Sequence, residues 1–210
     1  ARSVVLSKDG RFVYVASELS RAVAVFSRNV KTGVLAQLPG EDGCVSENGS
    51  IELCTDGQGL SSPSSLALSP DGRSLYAASS GHDELAVLAR NRRTGTLQHV
   101  QCLREGGSVI CESAEVLGHP SSAAVSPDGR TVYVTARENA AVVVFARDRK
   151  TGWLSPLPLP AGCISEGGGA GVCAEGRALG TPRSLALSRN GKHLYVAAQA
   201  SNAVAGVQRP

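Results

Sequence analysis

The sequence predicts an all-β fold made of repeated four-stranded sheets, and three observations carry that prediction. Four segments align without gaps, and their turn glycines, Gly10, Gly72, Gly129 and Gly191, lie 62, 57 and 62 residues apart. Short apolar runs alternate with turn residues, and no helical periodicity lies between them. One run, AVVVF, is apolar on both faces, which indicates a sheet covered on both sides. Four-stranded sheets stacked radially in this way are the blades of a β-propeller.

Each repeat contains four predicted strands, separated by turns and a loop. The first strand, such as SLALS, ends at an SPDG turn, where Pro presets φ and Gly supplies a positive φ. The second strand, such as SLYAAS, leads through a polar loop to a third strand, and a KTG or RTG turn then opens the fourth strand, as in GTLQHVQ. A tyrosine follows each turn glycine by four residues and an arginine follows it by eighteen: Tyr14, Tyr76, Tyr133 and Tyr195, then Arg28, Arg90, Arg147 and Arg209.

Two segments, SPDGRTVYVT and NAAVVVFARDRKTGWL, resemble the YVTN-type repeat of the lactonase-like seven-bladed propellers. That family includes surface-layer and secreted proteins and a branch of 6-phosphogluconolactonases and carboxymuconate-lactonizing enzymes. The resemblance covers nearly the whole chain and rests on blade-forming residues such as Tyr133-Val134-Thr135, Tyr14-Val15-Ala16 and Tyr195-Val196-Ala197. It implies a propeller fold and, for the enzymes of the family, a site of His, Arg and acidic residues around the channel mouth.

The repeats predict one propeller domain over residues 1–210. Its blades are expected near 1–43, 61–102, 118–162 and 180–210, with interblade loops at 44–60, 103–117 and 163–179. The last unit has only three predicted strands, so three blades are complete and the fourth is partial. The chain also contains no methionine. We therefore expect it to be part of a larger ring, of seven blades if the resemblance holds, or to be completed by a second chain or copy.

The six cysteines form one pair in each of three repeats: Cys44 and Cys54, Cys102 and Cys111, Cys163 and Cys173. Six cysteines allow fifteen pairings, and the repeat favours closing each pair on itself. A zinc site is the alternative, but it would need closer spacing or histidines between the cysteines, and none lies there. Disulfides predict an oxidising location: periplasm, cell surface or medium. The first loop also contains Asn48-Gly49-Ser50, a sequon that matters only where the host glycosylates.

Propeller topology places the disulfide loops on the same side as the loops between the second and third strands, which we call the loop face. The SPDG and KTG turns lie on the opposite side, the turn face. The loops of the loop face differ among the repeats, whereas the turns of the turn face are nearly invariant. Variable loops on a fixed framework usually carry recognition. The ligand-face candidates are Glu18, Arg21, His82, Asp83, Arg137, Glu138 and Asn202.

One candidate catalytic group lies on this face. His119 begins an inner strand where other repeats have Ser62 and Thr181, and Arg137 and Glu138 in the neighbouring loop complete a set suited to acid–base chemistry. The alternative is a histidine that merely caps a strand.

A second candidate chemistry is cation binding. Three glutamates, Glu47, Glu105 and Glu166, follow the first cysteines by three residues, and carboxylates of this kind bind Ca²⁺. Since no EF-hand spacing is present, we favour a role in which they accept backbone hydrogen bonds and shape the loops.

Composition excludes some functions. A net charge of +3 is too mild to imply nucleic acid, and no apolar run approaches a membrane span. The basic cluster Arg90-Asn91-Arg92-Arg93 is interpreted as a solvated turn. The sequence contains no G-x-S-x-G, phosphate-loop or H-E-x-x-H motif, and we expect no cofactor. We therefore expect a secreted or surface propeller that binds a protein or glycan as a non-catalytic scaffold, the alternative being a lactonase-like hydrolase at the channel mouth.

Overall fold

Four β-sheets follow one another along the chain in the computed structural model, which describes residues 1–50 and 53–208. Arg209 and the predicted end of the last blade at residue 210 lie outside that description. The first blade consists of β1 (Ser3–Leu6), β2 (Phe12–Ser17), β3 (Ala22–Arg28), β4 (Leu35–Gln37), β5 (Cys44–Glu47) and β6 (Thr55–Gly57). The second consists of β7 (Pro63–Leu68), β8 (Ser74–Ser79), β9 (Glu84–Arg90), β10 (Leu97–Arg104) and β11 (Glu112–Ser113).

The third blade repeats the plan of the first. It consists of β12 (Pro120–Val125), β13 (Thr131–Ala136), β14 (Ala141–Arg147), β15 (Leu154–Pro156), β16 (Cys163–Glu166) and β17 (Ala174–Gly176). The fourth has three strands, β18 (Pro182–Leu187), β19 (His193–Ala198) and β20 (Ala203–Gln208). Short 3₁₀ segments lie at Gly40–Gly43, Asn48–Ser50 and Gly167–Gly171. The predicted all-β propeller arc, with a three-stranded fourth sheet, is confirmed.

The outer strand is longer than the sequence predicted. In the first and third blades it is interrupted and then resumes at a cysteine, so that β5 pairs with β3 and β16 pairs with β14. In the second blade Cys102 lies inside β10. The resumed strands are covered on both faces, because Val45 and Ser46 are buried in the first blade and Ile164 and Ser165 in the third. The first cysteine of each loop therefore lies within the outer strand of its blade.

Disulfides join Cys44 to Cys54, Cys102 to Cys111 and Cys163 to Cys173, the three pairings that the repeat predicted. Each loop ends in a short strand that runs parallel to the outer strand: β6 beside β5, β11 beside β10 and β17 beside β16. The disulfides thus fasten a fifth strand to each of these blades, an element that the four-strand repeat did not indicate.

Removing one disulfide is expected to lower the free energy of unfolding by about 2–3 kcal/mol. Without the disulfide, a loop of about ten residues gains conformational entropy in the unfolded chain. The variant is Cys163→Ser/Cys173→Ser, compared with the unaltered protein by urea unfolding under oxidising conditions. In excess reductant the two proteins should unfold at the same urea concentration, which is the control. Coincident unfolding curves in the oxidised state would contradict the prediction.

The repeated tyrosines join consecutive blades. Tyr14 and Tyr76 are fully buried, and each donates its hydroxyl proton to the turn of the next blade, at the carbonyls of Gly95 (2.8 Å) and Gly152 (2.9 Å). The repeated arginine of that next blade donates Nε to the same hydroxyl, as Arg147 does to Tyr76 at 2.5 Å. The two sequence signals are therefore the two halves of one interblade contact.

The blades form an open arc. Buried apolar clusters lie between the first and second, the second and third, and the third and fourth blades. Among the described residues, none lies between the fourth and the first. Accordingly Tyr195 is 46% exposed, whereas Tyr14, Tyr76 and Tyr133 are at most 1% exposed. Within the described part of the chain, no helix has the length and apolar character needed to cross a membrane.

Candidate functional site

The backbone of His119 is fixed between two neighbouring loops on the loop face. His119 directly precedes β12 and adopts a left-handed conformation with φ of 54°. Its N–H donates to Asp83 Oδ1 at 2.7 Å, and its carbonyl accepts from Arg137 N at 3.3 Å. A β-branched or bulky residue rarely tolerates such a φ without support. The two contacts therefore place His119 at a defined point between the second and third blades.

The imidazole of His119 faces a carboxylate. Its Nδ1 lies 3.4 Å from Glu138 Oε1, and the two side chains are 34% and 68% exposed. This separation is long for a hydrogen bond, but catalytic contacts commonly tighten only when substrate is bound. With Nδ1–H directed at Glu138, Nε2 is the acceptor nitrogen. A partly exposed imidazole oriented by a carboxylate has the arrangement of a general base.

Two guanidinium groups lie near each other at the edge of this site. Burial and repulsion from Arg183 lower the pKa of Arg137, while Glu138 acts in the opposite direction. Arg137 Nε is buried and has no hydrogen-bond partner within the described residues. Arg183, on β18, donates Nε to Gln199 at 2.6 Å. The pair places positive charge beside Glu138, the carboxylate that faces the imidazole, where a negative charge on a ligand would be stabilised.

Arg183 was missed by the sequence analysis, although a signal was present. It follows Pro182 at the position that Ser64 and Ser121 occupy in the second and third repeats. An arginine stands in place of this small polar residue in the first and fourth repeats, at Arg2 and Arg183, so the difference is visible in a comparison among the repeats.

A buried polar network supports the site from below. Gly118 N donates to Asn139 Oδ1 at 2.7 Å, and Asn139 Nδ2 donates to Glu105 Oε1 at 3.3 Å. A Cβ atom at Gly118 would lie 2.5 Å from Asn139 Oδ1 and 2.7 Å from Glu105 Oε2, so a side chain here would displace these two polar groups. Burial raises the pKa of Glu105, and the charges of Asp83 and Glu138 add to the rise, against the hydrogen bond from Asn139. Glu105 therefore holds the loop that carries Glu138.

The other two repeated glutamates shape their loops. Glu47 accepts the N–H of Leu60 at 2.6 Å, and Glu166 accepts the N–H of Leu179 at 2.5 Å. Both leucines are fully buried, so each carboxylate fixes a chain segment that fills the core. Burial raises the pKa of Glu47 despite this hydrogen bond. These contacts support the favoured role over a Ca²⁺ site.

A metal-like cluster occurs elsewhere. Among the described residues, the group with metal-ligand spacing is Glu84 with Cys102 and Cys111. Those two cysteines are joined to each other in a disulfide, so they offer no thiolate to a metal ion.

The remaining ligand-face candidates lie apart from His119. Glu18 forms an ion pair with Arg2 at 2.5 Å in the first blade. The carbonyl of Arg21 accepts from Glu47 N, and His82 Nδ1 lies 3.9 Å from Glu84. Asn202 closes the β19–β20 turn through its N–H to Gln199. The structure thus brings Asp83, Arg137 and Glu138 to His119 and distributes the other candidates over the same face.

Comparison with known proteins identifies relatives of the chain. Residues 1–162 match the family model described as Lactonase, 7-bladed beta-propeller. A 6-phosphogluconolactonase of Bacillus subtilis (strain 168) is 26% identical over 157 residues, which are 75% of this chain and 40% of that protein. A 6-phosphogluconolactonase of Formosa agariphila is 24% identical over 165 residues, 75% of this chain and 39% of that protein.

Solved structures show the same fold. The periplasmic gluconolactonase PpgL of Pseudomonas aeruginosa superposes with a TM-score of 0.69 at 23% identity, over 100% of this chain and 50% of that one. A protein from Lactobacillus plantarum superposes with a TM-score of 0.66 at 19% identity, over 99% of this chain and 50% of that one.

The expectation of a non-catalytic binding scaffold is wrong, because the relatives are named as lactonases. That expectation rested on missing nucleophile and metal motifs, yet opening a lactone requires only a base for water and a group that stabilises negative charge. The chain spans about 40% of the length of the curated relatives that it matches. It belongs to the lactonase family of seven-bladed β-propellers.

Proposed function

We propose that this propeller hydrolyses a sugar lactone on its loop face, at the junction of the second, third and fourth blades. The observation that carries the proposal is the His119–Glu138 contact beside Arg137, in a chain whose relatives are named lactonases. No other described part of the loop face combines an exposed imidazole, a carboxylate that orients it and an unpaired guanidinium nitrogen.

Each residue has one role in the proposed reaction. His119 Nε2 accepts a proton from water, and the water oxygen forms a bond to the lactone carbonyl carbon. Arg137 stabilises the oxyanion that results. The ring C–O bond then breaks, and the imidazolium returns its proton to the departing alkoxide, so that the product is a hydroxy acid. Glu138 orients the imidazole and stabilises its protonated form, as a carboxylate does in other acid–base pairs.

The substrate class follows from the second guanidinium. Burial and the charge of Arg183 lower the pKa of Arg137, and the nearby Glu138 carboxylate offsets this only in part. A lactone that carries its own negative group would relieve this repulsion. The curated relatives, named 6-phosphogluconolactonases, support a phosphorylated sugar lactone.

An assay with charged and neutral lactones tests the function. The protein should open a phosphorylated δ-lactone faster than the neutral δ-lactone, measured by acid release in a pH-stat. Arg183→Ser, which restores the residue of the second and third repeats, should raise KM for the charged lactone roughly tenfold, the loss of one charge-assisted hydrogen bond. Neutral-lactone hydrolysis should be unchanged, and His193→Gln on the turn face serves as the control. Hydrolysis no faster than the buffer rate would contradict the function.

The three disulfides support an extracytoplasmic location, and the periplasmic neighbour is consistent with it. Cell fractionation followed by non-reducing peptide mapping of the native protein tests this. Recovery in the cytosolic fraction with free thiols would contradict it.

The exposed ends of the arc support a further partner: more blades, in the same protein or in a second copy. On the fourth blade, Tyr195 is 46% exposed and Val204 is 70% exposed. On the first blade, Val4 is 62% exposed and Leu6 is 51% exposed. The equivalent residues inside the arc pack against a neighbouring blade. We expect the 210-residue chain on its own to associate, as seen by light scattering. A monomer at all accessible concentrations would contradict this.

A further inference from the structure

A cavity of about 740 Å³ lies on the turn face, between the turns of the first three repeats. Six cationic residues line it: Lys8, Arg73, Arg90, Arg92, Arg149 and Lys150. All except Arg90 are exposed. The cavity is on the opposite side of the blades from His119, and the proposed lactone chemistry makes no use of it.

Arg90 in this cavity wall is a buried cation without the partner that its counterpart has. In the next repeat, Arg147 donates Nη2 to Asp71 at 3.1 Å and to Ser74 Oγ at 3.0 Å. Phe12 replaces Ser74 in the contact that Arg90 makes, and the guanidinium lies 5.4 Å from the centre of that ring. Arg90 is 7% exposed, and its Nη2 has no hydrogen-bond partner within the described residues.

The acid that would neutralise Arg90 is engaged elsewhere. Asp9, which corresponds to Asp71, forms an ion pair with Arg11 at 2.8 Å and accepts from Ser7 at 2.6 Å. Among the described ion pairs, none involves Arg90. A buried charge without a partner is costly unless a counter-ion approaches it.

Both aspartates that line the cavity, Asp9 and Asp71, already form ion pairs with arginines. The hydrogen bond from Ser7 is the main cause that holds the pKa of Asp9 far below its usual value, with Arg11 contributing. For Asp71, burial alone would raise the pKa, but hydrogen bonds from Ser69 and the Arg73 N–H, together with Arg147, lower it. These carboxylates are ionised, and their charges are directed at Arg11 and Arg147. They leave the cations that face the cavity without acidic partners.

We propose that this cavity binds a ligand bearing several phosphate groups. Guanidinium groups match phosphate oxygens in paired hydrogen bonds, and a cluster of like charges becomes favourable when a multiply charged anion neutralises it. The volume is in the range of small-molecule sites. A second cavity of about 650 Å³ shares Arg73, Arg90, Arg92 and Lys150 and adds Arg11 and Arg93. The continuous surface therefore has room for a longer phosphate chain.

The proposal is tested by titration calorimetry of the chain with inorganic tripolyphosphate. A second titration uses a long-chain inorganic polyphosphate. Tripolyphosphate should bind, and Arg92→Gln/Arg149→Gln should weaken it at least tenfold, since both residues are exposed and their replacement spares the core. Lys31→Gln is the matched control, because Lys31 has the turn position of Lys150 in the first repeat but does not line the cavity. It should leave the affinity unchanged, as should His119→Gln on the loop face.

The outcomes separate clearly. The site is supported if both probes bind, the double variant binds them more weakly and Lys31→Gln binds them as the unaltered protein does. If only the long-chain polyphosphate binds, with the same effects of the variants, the ligand is a polymer. No heat at millimolar tripolyphosphate and no binding of the long chain overturns it. Equal weakening by Lys31→Gln and the double variant also overturns it, since that result would reflect net charge alone. Because the lactone assay is measured on the other face, failure here leaves that proposal standing.

Discussion

Replacing Arg147 with alanine is expected to lower the free energy of unfolding by about 2–4 kcal/mol, because it removes several charge-assisted hydrogen bonds at once. The side chain of Arg147 is fully buried. It bonds Tyr76 Oη in the preceding blade, the carbonyl of Gly129 in its own blade, and Asp71. The variant removes one donor from the Asp71 carboxylate and one from the Tyr76 hydroxyl, at the junction of two blades.

The first repeat supplies a matched control. Arg28 occupies the same position, but its blade has no preceding blade among the described residues, and its one side-chain hydrogen bond is to the Gly10 carbonyl at 3.2 Å. Arg28→Ala should cost about 0.5–1.5 kcal/mol, the usual worth of a single hydrogen bond. Urea unfolding of both variants, followed by fluorescence and circular dichroism, measures the difference. Equal losses would show that the interblade contact adds nothing to the stability of the protein.

The same contact has a pH signature. The pKa of Asp71 is lowered in the folded protein, so its ion pair contributes stability above the pH at which an unfolded aspartate titrates, about 3.9. That contribution is lost as the pH falls towards the folded pKa. The pKa of Glu47 is raised by burial, so its contribution has the opposite sign and is lost as the pH rises through the folded value. Arg147→Ala should therefore flatten the acid side of the stability profile without changing the part that is due to Glu47.

The sequence alone was sufficient for the strands and insufficient for what joins them. Turn glycines, alternating apolar residues and paired cysteines are local signals, and they located the blades and the disulfides. The spacing of Tyr76 and Arg147 was visible as a pattern, but its meaning required knowing that the arginine of one repeat meets the tyrosine of the preceding one. Arg90 was interpreted as part of a solvated turn, yet it is buried, because its side chain makes the equivalent contact with Tyr14 of the preceding blade.

The sequence predicted most residues of the candidate site but not their arrangement. His119, Arg137 and Glu138 differ from their counterparts in other repeats, so a comparison among repeats was enough to find them. Their mutual arrangement depends on Asp83 and Asn139, which bond backbone groups of a neighbouring blade. Such contacts between blades leave no spacing pattern in one chain. The expected scaffold function was wrong because a base and a cation brought together from separate loops leave no short sequence motif.

Replacing His119 with glutamine is expected to lower kcat for lactone opening by about 10²–10⁴-fold, the usual contribution of a positioned general base. Glutamine keeps much of the side-chain volume and leaves the backbone contacts to Asp83 and Arg137 available, so the fold and KM should change little. Glu138→Gln keeps a hydrogen-bond acceptor near Nδ1 but removes the charge that stabilises the imidazolium, and a smaller loss is expected. The matched control is His193→Gln, which removes an imidazole from the turn face and should retain full activity. The variants are compared by pH-stat kinetics between pH 5 and pH 9, where loss of the imidazole should remove the titration that it imposes on kcat. If His119→Gln keeps both the rate and the pH profile of the unaltered protein, then His119 only caps β12, and the base must be sought elsewhere on the loop face.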